Sequence, residues 1–544
     1  MMNKPWYQKE AVYQIYPRSF QDSNDDGIGD LPGIMQRLDH VEALGTNIIW
    51  LSPIYASPMD DNGYDISDYC AIHPDYGTME DFDLLIKDVH RRGMKLVMDL
   101  VINHTSDEHP WFLEAKKSKE CSKHDYYLWR DKPNNWTGFF GGKAWEYNPE
   151  TSEYYLHLFS KKQPDLNWAN PKVREEIKSI LRFWLDKGVD GFRCDVINLL
   201  SKTPNLPNGR PSPILCGREH YINGPHIHDY LGELKRDVFS HYDCFTVGEC
   251  VFLNPKQALT YIEHEKELNM VFQFEHMNAD NFFIKWFPIR YRPIRLKRAL
   301  SRWQNEINPT GWNTMYLENH DQPRSVSRFG SLDYHYKSAT MLATMFIYQR
   351  GTPFIYQGEE IGMTNAPFSD IKDYQDVETK SIYRQFVKVF GKKKMMQKIM
   401  KMSRDHARTP MQWDESLNAG FSKGTPWLKV NPNYQTINVK KNMEESTSIY
   451  HFYQQLLALR AQYSCLIDGV FQDVAPHHRA LYCYTRTSEQ QTMFIIGNMM
   501  PKITKYPSKI NLEGATLLLS NTDAVGKDLT PYEVRIYLKE KKDE

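Results

Sequence analysis

No apolar run in this chain approaches the roughly 18–20 residues that a membrane-spanning helix needs. Its eight cysteines (Cys70, Cys121, Cys194, Cys216, Cys244, Cys250, Cys465 and Cys483) include no Cys-x-x-Cys pair. That spacing argues against a zinc or dithiol site. An excess of one charge is missing too: 67 Lys and Arg stand against 68 Asp and Glu. Such a balance offers no electrostatic case for nucleic acid or an anionic membrane as partner. Internal repeats and low-complexity tracts are absent, which excludes solenoid and fibrous architectures. The opening Met1-Met2-Asn3-Lys4-Pro5-Trp6-Tyr7 has no apolar signal-peptide core. The expectation is a cytoplasmic monomer with free thiols.

What is present is a large apolar fraction, 41% of 544 residues, ordinary for a globular core. Short apolar runs at 11–17, 47–53, 95–101, 191–196, 245–250, 270–276, 313–321 and 353–359 are rich in β-branched and aromatic residues. They lack strict alternation, as expected of strands buried on both faces. Amphipathic helices separate them: 82–92 puts Phe82, Leu85, Ile86 and Val89 on one face, and 173–187 does so with Ile177, Ile180, Leu181 and Trp184. Eight strands alternating with helices predict a (β/α)8 barrel. We assign it to 1–104 and 174–465. Roughly seventy residues separate the third strand from Val173, too many for a plain loop, so 105–173 reads as an inserted domain. A second excursion, 365–413, follows the eighth strand; its Lys392-Lys393-Lys394 reads as a solvated helix face. Residues 466–544 carry short strand patterns and predict a small antiparallel domain.

Three predicted strands end in acids: Asp195 in Gly191-Phe192-Arg193-Cys194-Asp195, Glu249 in Val247-Gly248-Glu249, and Asp321 in Glu318-Asn319-His320-Asp321. Carboxylates are seldom buried without a partner. In a barrel, residues at the carboxyl ends of strands face the active site. Asp99, Asn103, His104, Arg193 and His320 share those ends, and Tyr64 and Asp65 follow the second strand. Any one of them could be a helix cap or loop anchor; the set together points to chemistry. One ionised and one protonated acid are what glycosidic bond cleavage needs.

These runs resemble the conserved regions of the α-amylase family of glycoside hydrolases, in the family's order and across nearly the whole chain. Gln163-Pro164-Asp165-Leu166-Asn167-Trp168, Tyr356-Gln357-Gly358-Glu359-Glu360 and Ala407-Arg408-Thr409-Pro410-Met411-Gln412-Trp413 look most like the oligo-1,6-glucosidase (isomaltase) and α-glucosidase group. The resemblance implies a retaining, exo-acting α-glucosidase that releases glucose from short α-1,6-linked oligosaccharides. It implies that Asp195 is the nucleophile, Glu249 the acid and base, and Asp321 the residue that grips sugar hydroxyls. By the same resemblance Arg193 keeps Asp195 ionised, and His104 and His320 donate to sugar hydroxyls. Asp65 and Arg408 clamp the non-reducing glucose, and Tyr64 is a stacking platform. Glu249 is expected to have a raised pKa. Val196, directly after the nucleophile, is the residue that points to α-1,6 bonds.

A second feature is Asp22-Ser23-Asn24-Asp25-Asp26-Gly27-Ile28-Gly29-Asp30. Its alternating oxygen ligands resemble an EF-hand loop, but Gly33 at the twelfth place excludes a true one. The isomaltase group has a similar calcium loop, which implies structural Ca2+ on Asp22, Asn24, Asp26, Asp30 and the Ile28 carbonyl. Departures from the family text are Cys194, Cys250 and the Pro-rich loop 205–221. Rival readings are a trehalose-6-phosphate hydrolase or a glucan 1,6-α-glucosidase of the same group, a sucrose-isomerising enzyme, and a non-catalytic barrel acting as a structural partner.

Overall fold

The structure is a computed structural model that describes residues 4–282, 284–523 and 526–541; the remaining few residues of the assigned barrel and C-terminal segments lie outside the described residues. Eight strands form one parallel sheet: β1 (Val12–Ile15), β2 (Ile48–Leu51), β3 (Lys95–Leu100), β4 (Gly191–Cys194), β5 (Phe245–Glu249), β6 (Met270–Phe272), β7 (Thr314–Met315) and β8 (Thr352–Tyr356). Their order is β6-β5-β4-β3-β2-β1-β8-β7. A parallel bridge from Val271 to Asn313 brings the two edges together into a nearly closed barrel. Every residue of β1, β2, β4, β5 and β8 is buried. Helices cover the outer face and side chains fill the inner one, which is why the sequence shows runs rather than alternation.

The helices start where local chemistry favours it. Helix α1 (Met79–Arg91) opens with a capping box between Thr78 and Asp81 and buries Phe82, Leu85, Ile86 and Val89. Helix α2 (Pro171–Asp186) is capped by Asn170 with Pro171 in its first turn, and buries Ile177, Ile180, Leu181 and Trp184. Both devices satisfy orphan N–H groups at the helix start. Between β3 and α2 lies a three-stranded antiparallel sheet with Glu153–Leu156 at its centre. The excursion after β8 contains helices α3 (Val377–Phe390) and α4 (Lys392–Met402), packed through Ile382, Met395, Met396 and Ile399. Lys392, Lys393 and Lys394 are exposed on α4, as expected. The chain ends in a five-stranded antiparallel sheet that includes one strand without a clear sequence signal, Val470–Asp473.

Two strand ends need correction. The sixth strand was expected to span 270–276 but stops at Phe272. The seventh strand was expected to span 313–321, but β7 stops at Met315. Asp321 therefore sits on a loop, six residues beyond the strand. That loop is closed by Glu318, whose carboxylate accepts the backbone N–H and hydroxyl of Ser325 (both 2.6 Å) and a guanidinium N–H of Arg324 (3.1 Å). Among the described residues no helix is long and apolar enough to cross a membrane.

Candidate active site

A cavity of about 540 Å³ opens at the carboxyl ends of the strands and is lined by Asp195, Glu249 and Asp321 together with Tyr64, His104 and Val196. Asp195 follows β4 directly, and its backbone N–H donates to the Leu100 carbonyl at 2.9 Å. Glu249 ends β5. The β4–β5 register pairs Cys194 with Gly248, so Asp195 and Glu249 are the next facing positions. Adjacent strands lie about 4.8 Å apart. After Asp195 the chain turns sharply: Val196 has φ 36° and ψ 41°, a left-handed conformation that costs a β-branched residue roughly 1–3 kcal/mol.

Arg193 is the electrostatic centre of the site. It is buried, and one of its terminal nitrogens donates to both Asp99 and Asp195 at 2.7 Å. The other pairs with Glu249. The β3–β4 register, Asp99 beside Arg193, makes this contact unavoidable. Burial opposes the charge on Arg193, but Asp99, Tyr64 and Asp195 more than offset it and raise its pKa. Burial also wins over Arg193 at Asp195, whose carboxyl is pushed up to about 6. Arg193 limits the rise, which keeps Asp195 ionised at neutral pH.

The neighbouring rings are organised as a chain. Gln14 donates to His320 Nδ1 at 2.8 Å, so Nε2 carries the proton and meets the Tyr64 hydroxyl at 2.6 Å. Tyr64 donates onward to Asp99 at 3.0 Å, and its ring stacks on His320 with centroids 5.2 Å apart. Burial pushes His320 down to about 3, so the ring is neutral. His320 is fully buried and is not part of the cavity lining. It supports Tyr64 from behind, where the sequence reading had it donating to sugar. His104 does line the cavity, and burial lowers its pKa as well.

The predicted clamp also shifts. Asp65 is fully buried and accepts the backbone N–H groups of Asp60 (2.8 Å) and Asp61 (3.0 Å). It shapes the turn that presents Asp61, and Asp61 is the residue in the cavity wall. Arg408 lies behind the cavity, donating to the His320 carbonyl at 2.9 Å and to Asp321 at 2.7 Å. The arginine that lines the cavity is Arg404, which reaches Asp61 at 3.0 Å and Asp321 at 3.1 Å. In each of these two motifs the residue four places earlier faces the cavity. The turn chemistry of the Asp60–Asp65 loop, two backbone donors aimed at Asp65, decides this and has no sequence signature. At Asp321 burial opposes ionisation, and the charges of Arg404 and Arg408 outweigh it and hold the acid well below its usual range.

Two thiols sit beside the acids. Burial drives the pKa of both Cys194 and Cys250 upward, so they behave as small packing groups rather than nucleophiles. In the Asp22–Asp30 loop the acids already serve the backbone. Asp22 accepts N–H groups of Asn24, Asp25 and Gly27 within 2.9 Å, Asp26 that of Ile28, and Asp30 those of Ser23 and Gly33. Among the described residues no three His, Cys, Asp or Glu side chains are arranged to hold a metal ion. The loop in this geometry is a set of hydrogen-bonded turns.

A parallel barrel with ion-paired acids gathered at its carboxyl mouth suits a glycoside hydrolase, and the comparisons with known proteins show that class. The family described as "Alpha amylase, catalytic domain" matches residues 14–469, and the chain belongs to the α-amylase family. An oligo-1,6-glucosidase of Parageobacillus thermoglucosidasius is 50% identical over 98% of this chain and 99% of its own. Among solved structures, the trehalose-6-phosphate hydrolase of Bacillus licheniformis is 42% identical with TM-score 0.94, covering 98% of this chain and 100% of that one. The isomaltulose synthase of Klebsiella sp. LX3 is 40% identical with TM-score 0.95, covering 99% and 100%.

Proposed function

We propose that this enzyme is a retaining, exo-acting α-glucosidase that releases glucose from the non-reducing end of short α-1,6-linked oligosaccharides such as isomaltose. The observation that carries the reading is the facing of Asp195 and Glu249 across one strand pair with Arg193 shared between them. Side chains on adjacent strands that share one arginine suit a retaining pair, whose carboxyl groups stand roughly 5–5.5 Å apart. Asp195 attacks the anomeric carbon while Glu249 gives its proton to the departing glycosidic oxygen. Glu249 then takes a proton from water as that water opens the glucosyl ester. Asp321, kept ionised by its arginines, accepts hydroxyl hydrogens and grips harder as the ring flattens.

Substrate charge is the second element. Each cation in the cavity wall already has an acid: Lys285 with Glu378 at 2.6 Å, Arg302 with Glu275 at 3.3 Å, Arg328 with Asp280 at 2.7 Å, and Arg404 with Asp61 and Asp321. A phosphate would favour net positive charge in the wall, and these pairs neutralise it. This favours plain oligosaccharides over trehalose 6-phosphate, despite the solved relative that acts on the latter. The α-1,6 preference rests on Val196 and on the curated relatives. A panel of isomaltose, maltose, panose, sucrose, trehalose and trehalose 6-phosphate tests it. We expect kcat/KM for isomaltose to exceed that for trehalose 6-phosphate by about 100-fold or more. The reverse order, or isomerised sucrose as main product, defeats the reading.

Calcium at the Asp22–Asp30 loop is proposed on its sequence pattern and on the sharp turn at Gly27 (φ 90°). Asp22 Oδ2, Asp26 Oδ1 and Asp30 Oδ1 each accept one backbone N–H and keep a second lone pair for a cation. The ion would be structural, and no catalytic step passes through it. Added Ca2+ is expected to raise the melting temperature and EDTA to lower it. A melting curve indifferent to both leaves the loop as plain turns.

A further inference from the structure

Arg404 is a long side chain doing a rigid task. Its guanidinium must face Asp61 and Asp321 at once, across the floor where sugar hydroxyls would sit. A free arginine pays rotamer entropy to hold such a pose. The residue that removes this freedom lies outside the cavity wall. Asp376 is fully buried, and one of its oxygens accepts both Nε (2.9 Å) and a terminal N–H (2.5 Å) of Arg404. Its other oxygen accepts the Thr379 N–H at 2.9 Å and the Thr379 hydroxyl at 2.6 Å, so Asp376 is also the N-cap of α3. The helix therefore fixes the carboxylate, and the carboxylate fixes the arginine. From the far side the Phe140 ring lies against the Arg404 guanidinium at 5.1 Å.

We propose that Asp376 is a positioning residue of the sugar clamp, holding Arg404 in the one orientation from which it meets Asp61 and Asp321. The excursion 365–413 would thereby supply both the clamp's arginine and the support that aims it. The inference rests on the reading of this cavity as a glucose-binding site.

Asp376→Asn separates the two tasks of this residue. Asparagine caps helices as well as aspartate does, but it gives up the charge on Arg404. Glucose affinity, kcat and KM are measured on the wild type, Asp376→Asn, Arg404→Ala and the double variant, with melting curves for each. Asp376→Asn is expected to weaken glucose about tenfold and to raise KM more than it lowers kcat. In the Arg404→Ala background the same change is expected to cost no further glucose affinity. Asp376→Glu keeps the charge and moves it by one methylene; it is expected to fold normally and to bind glucose several-fold more weakly. Wild-type glucose affinity in Asp376→Asn or Asp376→Glu, or equal losses with and without Arg404, overturns the proposal. A wild-type enzyme that binds no glucose defeats the functional reading, and this inference with it.

Discussion

Asp195→Asn is expected to lower kcat/KM on isomaltose by about 10⁴-fold or more, with the melting temperature retained or raised. The amide cannot form the glucosyl ester, and the loss of a nucleophile is felt in full because the remaining groups act as a unit with it. The fold should survive: burial already works against the charge of this carboxylate, so a neutral isostere relieves desolvation. Glu249→Gln is expected to cost about 10²–10⁴-fold, the span of general acid catalysis. Its signature depends on the leaving group. An activated aryl glucoside needs no proton on departure, so its glucosyl ester should form and accumulate. Azide, which needs no base, should then release it as a glucosyl azide. Near-normal turnover of isomaltose by either variant sinks the assignment of both acids.

Arg193→Met carries the next largest effect. The guanidinium is the shared partner of Asp99, Asp195 and Glu249, all of them largely buried. Removing one partner of a buried ion pair leaves uncompensated charge and costs about 3–5 kcal/mol. Methionine fills similar space, so the loss should be electrostatic more than a cavity effect. The pH profile gives the sharper test. Asp195 stands at about 6 with Arg193 pulling it down against burial. If activity needs the ionised nucleophile, the acid limb of kcat/KM in the wild type is expected near that value. Without the arginine the carboxyl rises further, and the limb should move to higher pH. An acid limb that stays in place in Arg193→Met means that the arginine does not govern the ionisation of Asp195.

The barrel was legible because its strands are buried on both faces and its helices carry apolar stripes, and each of those patterns lies within one segment. All eight runs became strands of the one sheet. The candidate acids were legible for a related reason. A strand that ends in Asp195 or Glu249 must deliver it to the barrel mouth, since strand direction leaves no other place. Asp321 was found through its motif although its strand ends early, because the loop that Glu318 closes is itself contained in eight residues.

What local text could not decide was which of several similar residues turns inward. Asp61 and Asp65 share one loop, as Arg404 and Arg408 share one short segment. Which of each pair faces the cavity depends on backbone donors and on partners outside the motif: Asp61 meets Arg404 from 343 positions away, and Arg404 pairs with Asp376, 28 positions before it. The chemistry class and the barrel follow from patterns that neighbouring residues carry together. The clamp, the retreat of His320 behind Tyr64 and the commitment of every cavity cation to an acid exist only once distant segments are packed, because an ion pair is fixed by distance in space and leaves no period in the chain.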